Sequence, residues 1–229
     1  MSLTGEPHSP AVPALDYSLS AHDLEKTFDR KPVLKGVNLA VAHGESLVIT
    51  GRNGVGKSTL LRMLAGLSQP TGGRVEVRAA GSLLKGDARR AAVGYVAPDL
   101  RPYDELTARE NLEIMARIRG VRLTAGAAGS LLERMGLTGD FDVPAGTLST
   151  GQRQRLKMAL ALLGLPPILL LDEPGSNLDE EGRRTVAGFI EEARRRGPVI
   201  IATNDPEEIR FGERRLHLEP VDGPGARRP

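Results

Sequence analysis

The stretch Gly51-Arg-Asn-Gly-Val-Gly-Lys-Ser-Thr59 has the residue types needed to hold a polyphosphate. It fits the pattern G-x-x-x-x-G-K-[ST]. Gly51, Gly54 and Gly56 let successive backbone N–H groups, including that of Asn53, curl around an anion without Cβ clashes. A helix starting there aims its positive end at the same anion. Lys57 can reach terminal phosphates, the Ser58 hydroxyl suits a hard cation such as Mg2+, and Thr59 completes the motif. A second candidate is Ile168-Leu-Leu-Leu-Asp-Glu173, four apolar residues followed by two carboxylates. It reads as a buried strand with its acids at the C-terminal end, where ligand sites of α/β sheets lie. Asp172 can hold the magnesium, directly or through water, and Glu173 can orient or deprotonate an attacking water. Alone, a strand ending in Asp-Glu says little; beside the glycine loop it points to nucleoside triphosphate chemistry. A third segment is Leu148-Ser-Thr-Gly-Gln-Arg-Gln-Arg155. Ser149 and Gln152 form a capping box at a helix start. The same geometry, with Gly151, offers donors to a phosphate.

These groups need a scaffold, and hydropathy patterning supplies one. Alternation predicts strands over 17–24 and 33–41, and a third over 45–50 that runs into the glycine loop. Leu60, Leu61 and Leu64 share a helix face after Lys57, with an end near Gly66. Short strands are predicted over 74–78 and 92–97. The pair Thr107/Glu110 is a capping box opening a helix through about Ile118. Further helices are predicted over 127–135 and after Ser149, so that a helical lobe occupies about 100–163. A strand over 168–172, a helix from about Glu180 to Arg195 and a strand over 199–202 complete the alternation, which implies a mainly parallel sheet. Residues 1–15 and 220–229, rich in Pro, Gly, Ser and Arg, are expected to be disordered tails flanking one domain over 16–219.

Composition narrows the function. The 229 residues suit one generous α/β domain or a domain with a smaller lobe. Thirty-one basic side chains nearly cancel 29 acidic ones, which is no nucleic-acid footprint. The triplet Arg194–Arg196 ends a helix, where cations complement the dipole and need no ligand. Cysteine is absent, which removes disulfides, thiolate metal sites and cysteine nucleophiles. The longest apolar run, 158–171, is too short for a bilayer and is broken by Pro166-Pro167. A cytoplasmic protein is expected, with membrane contact through a partner.

The order glycine loop, LSTGQRQR, LLLDEP and SNLD resembles the ATP-binding subunits of ABC transporters over about Tyr17 to Leu218. Among these the chain looks most like the short bacterial ones, including the haem-exporter type of cytochrome c maturation. The resemblance implies an α/β fold of the P-loop NTPase class: a mainly parallel sheet core, an antiparallel β subdomain and an inserted helical lobe. It implies ATP and Mg2+ as cofactors, and two subunits, identical or related, paired head to tail. Each ATP would lie between the glycine loop of one subunit and the Ser149–Gln152 segment of the other. A separate transmembrane permease would be the partner, placing the subunit on the inner face of the membrane. Phe28 matches the family's adenine-stacking aromatic, although plain core packing is the alternative. Asp179, in Ser176-Asn-Leu-Asp179, matches the segment that reaches across the dimer.

Two departures bear on rate. Pro98 stands where the family usually has a glutamine, and Asn204 where it usually has a histidine that touches the γ-phosphate. Asn204 can donate a hydrogen bond but is shorter and does not titrate, so slow basal hydrolysis is expected. Asp99 and Asp205 are the nearest candidates to replace the lost polar groups. The other readings are a soluble ABC-type ATPase acting as an assembly or regulatory switch, and a kinase sharing the loop. A kinase would leave LSTGQ and SNLD without a role. Leu100, Tyr103 and Leu106 are candidates either for docking the permease or for packing the lobe.

Overall fold

The computed structural model describes residues 16–139 and 141–221. The expected tail at 1–15, and residues 222–229 of the one expected over 220–229, lie outside the described residues. Two sheets organise the chain. The first is antiparallel, in the order β2 (Lys31–Val41), β1 (Tyr17–Phe28), β4 (Gly72–Ala79) and the two-residue β5 (Ser82–Leu83). The second is parallel throughout, in the order β6 (Val93–Val96), β7 (Ile168–Asp172), β8 (Val199–Ala202), β3 (Ser46–Thr50) and β9 (Arg214–His217).

The inner strands β7 and β8 are apolar and buried over Ile168–Leu171 and Val199–Ala202 because both of their faces are covered. Side chains alternate between the faces with period two. In β7, Leu169 and Leu171 enter one core with the later helices, while Ile168 and Leu170 enter another with α1 (Lys57–Leu64) and the antiparallel sheet. In β8, Val199 and Ile201 divide from Ile200 and Ala202 in the same way. The first core takes in α3 (Ala108–Arg119), α4 (Ala125–Arg134), α5 (Thr150–Leu162) and α6 (Glu180–Arg194). On α6, Val186, Phe189, Ile190 and Ala193 follow the i, i+3, i+4, i+7 spacing of a buried stripe.

Capping boxes fix two helix starts. The Thr107 hydroxyl accepts from Glu110 N at 3.1 Å while Glu110 accepts from Thr107 N at 2.8 Å. Ser149 and Gln152 do the same for α5, at 3.2 and 2.8 Å. The helix expected over 127–135 starts two residues earlier, because Thr124 is its cap. Four short elements carry too little apolar pattern to be read from sequence: β5, α2 (Gly86–Ala92), α7 (Pro206–Ile209) and β9. The arginine run at 194–196 is tied down within the chain. Arg194 pairs with Glu191 and Glu213, and Arg196 with Glu192.

Candidate nucleotide site

The strand ends align the chemistry. Ile49 lies opposite Ala202, and Ala202 opposite Asp172, so the chain leaving β3, β8 and β7 emerges at one edge of the sheet. From that edge start the glycine loop, Asn204 and the Asp172–Glu173 pair.

The loop has the backbone that its glycines permit. Gly51 has φ 145°, and a Cβ there would stand 2.6 Å from the Leu218 carbonyl oxygen. Gly56 has φ 112° and sits within 3.0 Å of Val33 and Leu34 by the same test. Both positions therefore need glycine, for conformation and for space. Gly56 is the N-cap of α1, so that helix directs its unpaired N–H groups into the loop. Lys57 is buried at 6% exposure, and its Nζ donates to Gly51 O at 2.7 Å. The ammonium is thus held across the loop mouth rather than free in solvent.

A cavity of about 420 Å³ opens on this loop, lined by Phe28, Val33, Asn53, Gly54, Gly56, Lys57, Ser58, Thr59 and Glu173. Phe28 is 49% exposed, so packing in a core does not account for it. Lys26 Nζ lies over the Phe28 ring, 4.8 Å from its centroid. An exposed ring at the rim of a polar cavity can stack on a base.

Asp172 is 2% exposed, and burial pushes its carboxyl up from the usual range. A hydrogen bond from Ser58 and the positive charge of Lys57 oppose that shift, while Glu173 adds to it. Its Oδ2 has no hydrogen-bond partner among the described residues. A buried, unsatisfied carboxylate oxygen beside a hydroxyl fits Mg2+, which takes hard oxygens and is bound through one or two carboxylates plus phosphates. Glu173 adopts φ +48°, an uncommon conformation for a non-glycine residue. Its N–H donates to Ala202 O at 2.9 Å, which ties it to β8.

Asn204 is woven into the loop. Its Oδ1 accepts from Gly51 N at 3.3 Å and its Nδ2 donates to Asn53 Oδ1 at 3.1 Å. The two acids nearest in sequence to the departing positions, candidates to replace the lost polar groups, are engaged elsewhere. Asp99 pairs with Arg62 at 2.5 Å, and Asp205 with Arg183 at 2.9 Å while capping α7. Neither lines the cavity. At Pro98 the backbone oxygen accepts from Lys157 Nζ at 2.7 Å.

The remaining candidates are not brought to this cavity within one chain. Ser149, Gly151 and Gln152 form the N-terminus of α5, beside the loop that follows β7; a Cβ on Gly151 would stand 3.3 Å from Asn177 O. Asp179 is the N-cap of α6 and accepts from Gly182 N at 2.8 Å. Sequence reading missed the buried Gln154 and Glu208, which bind the backbone of that same loop. An amide inside an arginine-rich helix start and a Pro-Glu-Glu turn both read as solvated surface.

The ABC transporter family model matches residues 34–176, more than half of the chain. The protein belongs to the ABC transporter family. The lipoprotein-releasing system ATP-binding protein LolD of Xanthomonas oryzae pv. oryzae is 37% identical over 213 residues, covering 87% of each chain. The cytochrome c biogenesis ATP-binding export protein CcmA of Rhizobium meliloti is 38% identical over 177 residues, covering 76% of this chain and 84% of its own. Among solved structures, the ATP-binding cassette MJ0796, a dimer in a post-hydrolysis state with ADP and Pi, superposes with a TM-score of 0.78. It shares 29% identity and covers 88% of this chain and 94% of its own. The resemblance to short bacterial ABC subunits thus extends to those of lipoprotein release as well as those of cytochrome c biogenesis. Among the described residues no helix is long and apolar enough to cross a membrane.

Proposed function

We propose that this chain is the ATP-hydrolysing subunit of a transporter whose membrane-spanning permease is a separate protein. The observation that carries the reading is a single cavity joining the phosphate loop, an exposed Phe28 and Glu173. Phe28 would stack on adenine, and the loop amides with Lys57 would bind the β- and γ-phosphates. Ser58 and Asp172 would hold Mg2+, which neutralises phosphate charge when bound. Glu173 would accept a proton from the attacking water or orient it. Asn204, bonded to both Gly51 and Asn53, would fix the loop beside the γ-phosphate. Its amide cannot take a proton, so basal turnover is expected to be slow.

Each chain presents Ser149, Gly151 and Gln152 away from its own cavity, which suits pairing with a second copy or a related subunit. Head-to-tail pairing would bring that helix N-terminus onto the γ-phosphate of the neighbour's ATP, with Asp179 and its loop at the seam. We read α3–α5 as the inserted helical lobe of a domain over 16–219.

A second cavity of about 810 Å³ supports a permease partner. It runs between the parallel-sheet body and α3, and its walls include Leu67, Leu100, Met115 and Ile118. Leu67 and Ile118 are 68% and 67% exposed, an apolar rim that suits a helix laid into a groove. Of the residues expected to dock, Leu100 lines it, whereas Tyr103 and Leu106 are not among its lining residues. On this reading the subunit would sit on the inner membrane face through its permease. The test is Glu173→Gln with ATP and magnesium. It should bind ATP, hydrolyse it 10²–10⁴-fold more slowly, as expected for loss of a general base, and accumulate as a dimer by light scattering. Unchanged hydrolysis would refute the role of Glu173.

A further inference from the structure

The peptide joining Pro174 to Gly175 is gripped from two sides. Gln154 of α5, 4% exposed, donates through Nε2 to Pro174 O at 3.1 Å. Gly175 N donates to Oε1 of Glu208 on α7, a carboxylate only 5% exposed. The Thr203 hydroxyl lies beside that carboxylate, while its Oε2 has no hydrogen-bond partner among the described residues. A Cβ on Gly175 would collide with Oε1, so only glycine lets the carboxylate reach this peptide.

Nothing in the anchoring of α7 calls for a buried acid. That helix is already capped by Asp205, which also pairs with Arg183. Burying a carboxylate with one oxygen unsatisfied is costly, and a buried glutamine must likewise satisfy its amide. Both groups spend their bonds on a segment that needs outside support. Glu173 at φ +48° and Asn177 at φ 62° hold conformations that persist only where the surroundings over-determine them. The same segment packs against the N-terminus of α5 near Gly151.

We infer that Gln154 and Glu208 are positioning residues for hydrolysis. Together they clamp the Pro174–Gly175 peptide and so fix Glu173 relative to the Ser149–Gln152 helix start. One chain's hydrolytic carboxylate and the donor edge it offers to a neighbour then move as a unit. The inference rests on the reading of Glu173 given above.

The test compares the full chain with Gln154→Ala, Glu208→Ala and Glu208→Gln. Both alanine variants should keep ATP affinity by calorimetry within about twofold and lose kcat by about tenfold or more, since small misplacements of reacting groups carry penalties of that order. Glu208→Gln keeps a carbonyl acceptor for Gly175 N and should retain most of the rate. Amide hydrogen exchange over residues 173–178 should quicken in the alanine variants and not in the glutamine one. Unchanged kcat in the alanine variants, kcat and affinity falling together, or Glu208→Gln behaving like alanine would each overturn the clamp. If Glu173→Gln itself hydrolyses normally, the reading of Glu173 fails, and the exchange rates alone decide whether the clamp exists.

Discussion

Glu208 carries a cost that acidity should relieve. Burial, its largest perturbation, pushes its carboxyl above the ordinary 4.5, against opposing bonds from Thr203 and the Gly175 backbone. With the folded pKa above the unfolded one, the folded state binds the extra proton. The stabilising contribution is therefore full below about pH 4.5 and is lost as pH rises through the folded value. Glutamine does not titrate. The melting temperature of Glu208→Gln relative to the parent should be more favourable near neutrality than at about pH 4, as read by thermal unfolding across that range. A difference that stays constant with pH would mean that the carboxyl titrates as it does in the unfolded chain. This residue was invisible in the sequence because burial, not residue type, gives it its properties. Lys57, Asp172 and Glu173, by contrast, were legible because their neighbours in sequence dictate a loop or strand end of known geometry.

At the scale of elements, the capping boxes connect sequence to structure most directly. Thr107 satisfies one of the backbone donors at the start of α3, whose apolar residues Ala108, Leu112 and Ala116 pack in the core. Thr107→Ala should cost about 1 kcal/mol, or about 2–4 °C in melting temperature for a chain of this size, with ATP binding unchanged. Differential scanning calorimetry would check the first and titration calorimetry the second. The elements that escaped sequence reading fail for one shared reason. In β9, Arg214 and Arg215 are exposed, and in α2 only Ala92 is buried. Hydropathy reports burial, and edge elements have little. The tie between α5 and the loop after β7 could not be read either, because it joins residues 20 positions apart through a single side-chain bond.

For the whole molecule, the two cavities lie on separate surfaces. The nucleotide cavity lies at the C-terminal edge of the parallel sheet, and the apolar groove lies against α3. Ile118→Glu places a charge on the groove's exposed rim and should abolish co-purification with the permease while leaving ATP affinity as in the parent. Losing both would show that Ile118 supports the fold rather than a partner. Sequence reading offered Leu100, Tyr103 and Leu106 either for docking a partner or for packing the lobe, and of these Leu100 lines the groove. The groove also gathers residues from α2, β6, α3 and the turn after α1, a grouping that the packing of α3 against the sheet creates.

The wall behind Gly51 has a consequence for how the protein is made. The Leu218 carbonyl closes on Gly51, and Leu218 N donates to Thr50 O at 2.8 Å, so residues at positions 50–51 and 218 complete one cradle. The strand leading into the loop pairs only with β8 and β9, both from the last fifth of the described chain. A ribosome delivers the phosphate-binding sequence well before β8 and β9, the strands that flank it. During synthesis the nascent glycine loop must therefore wait, its apolar strand without β8 and β9, until those two strands have been made. The cradle is complete only once the chain has passed Leu218. A prematurely terminated chain would carry every phosphate-binding residue and still lack the rigid cradle, a long-range closure that folding completes slowly.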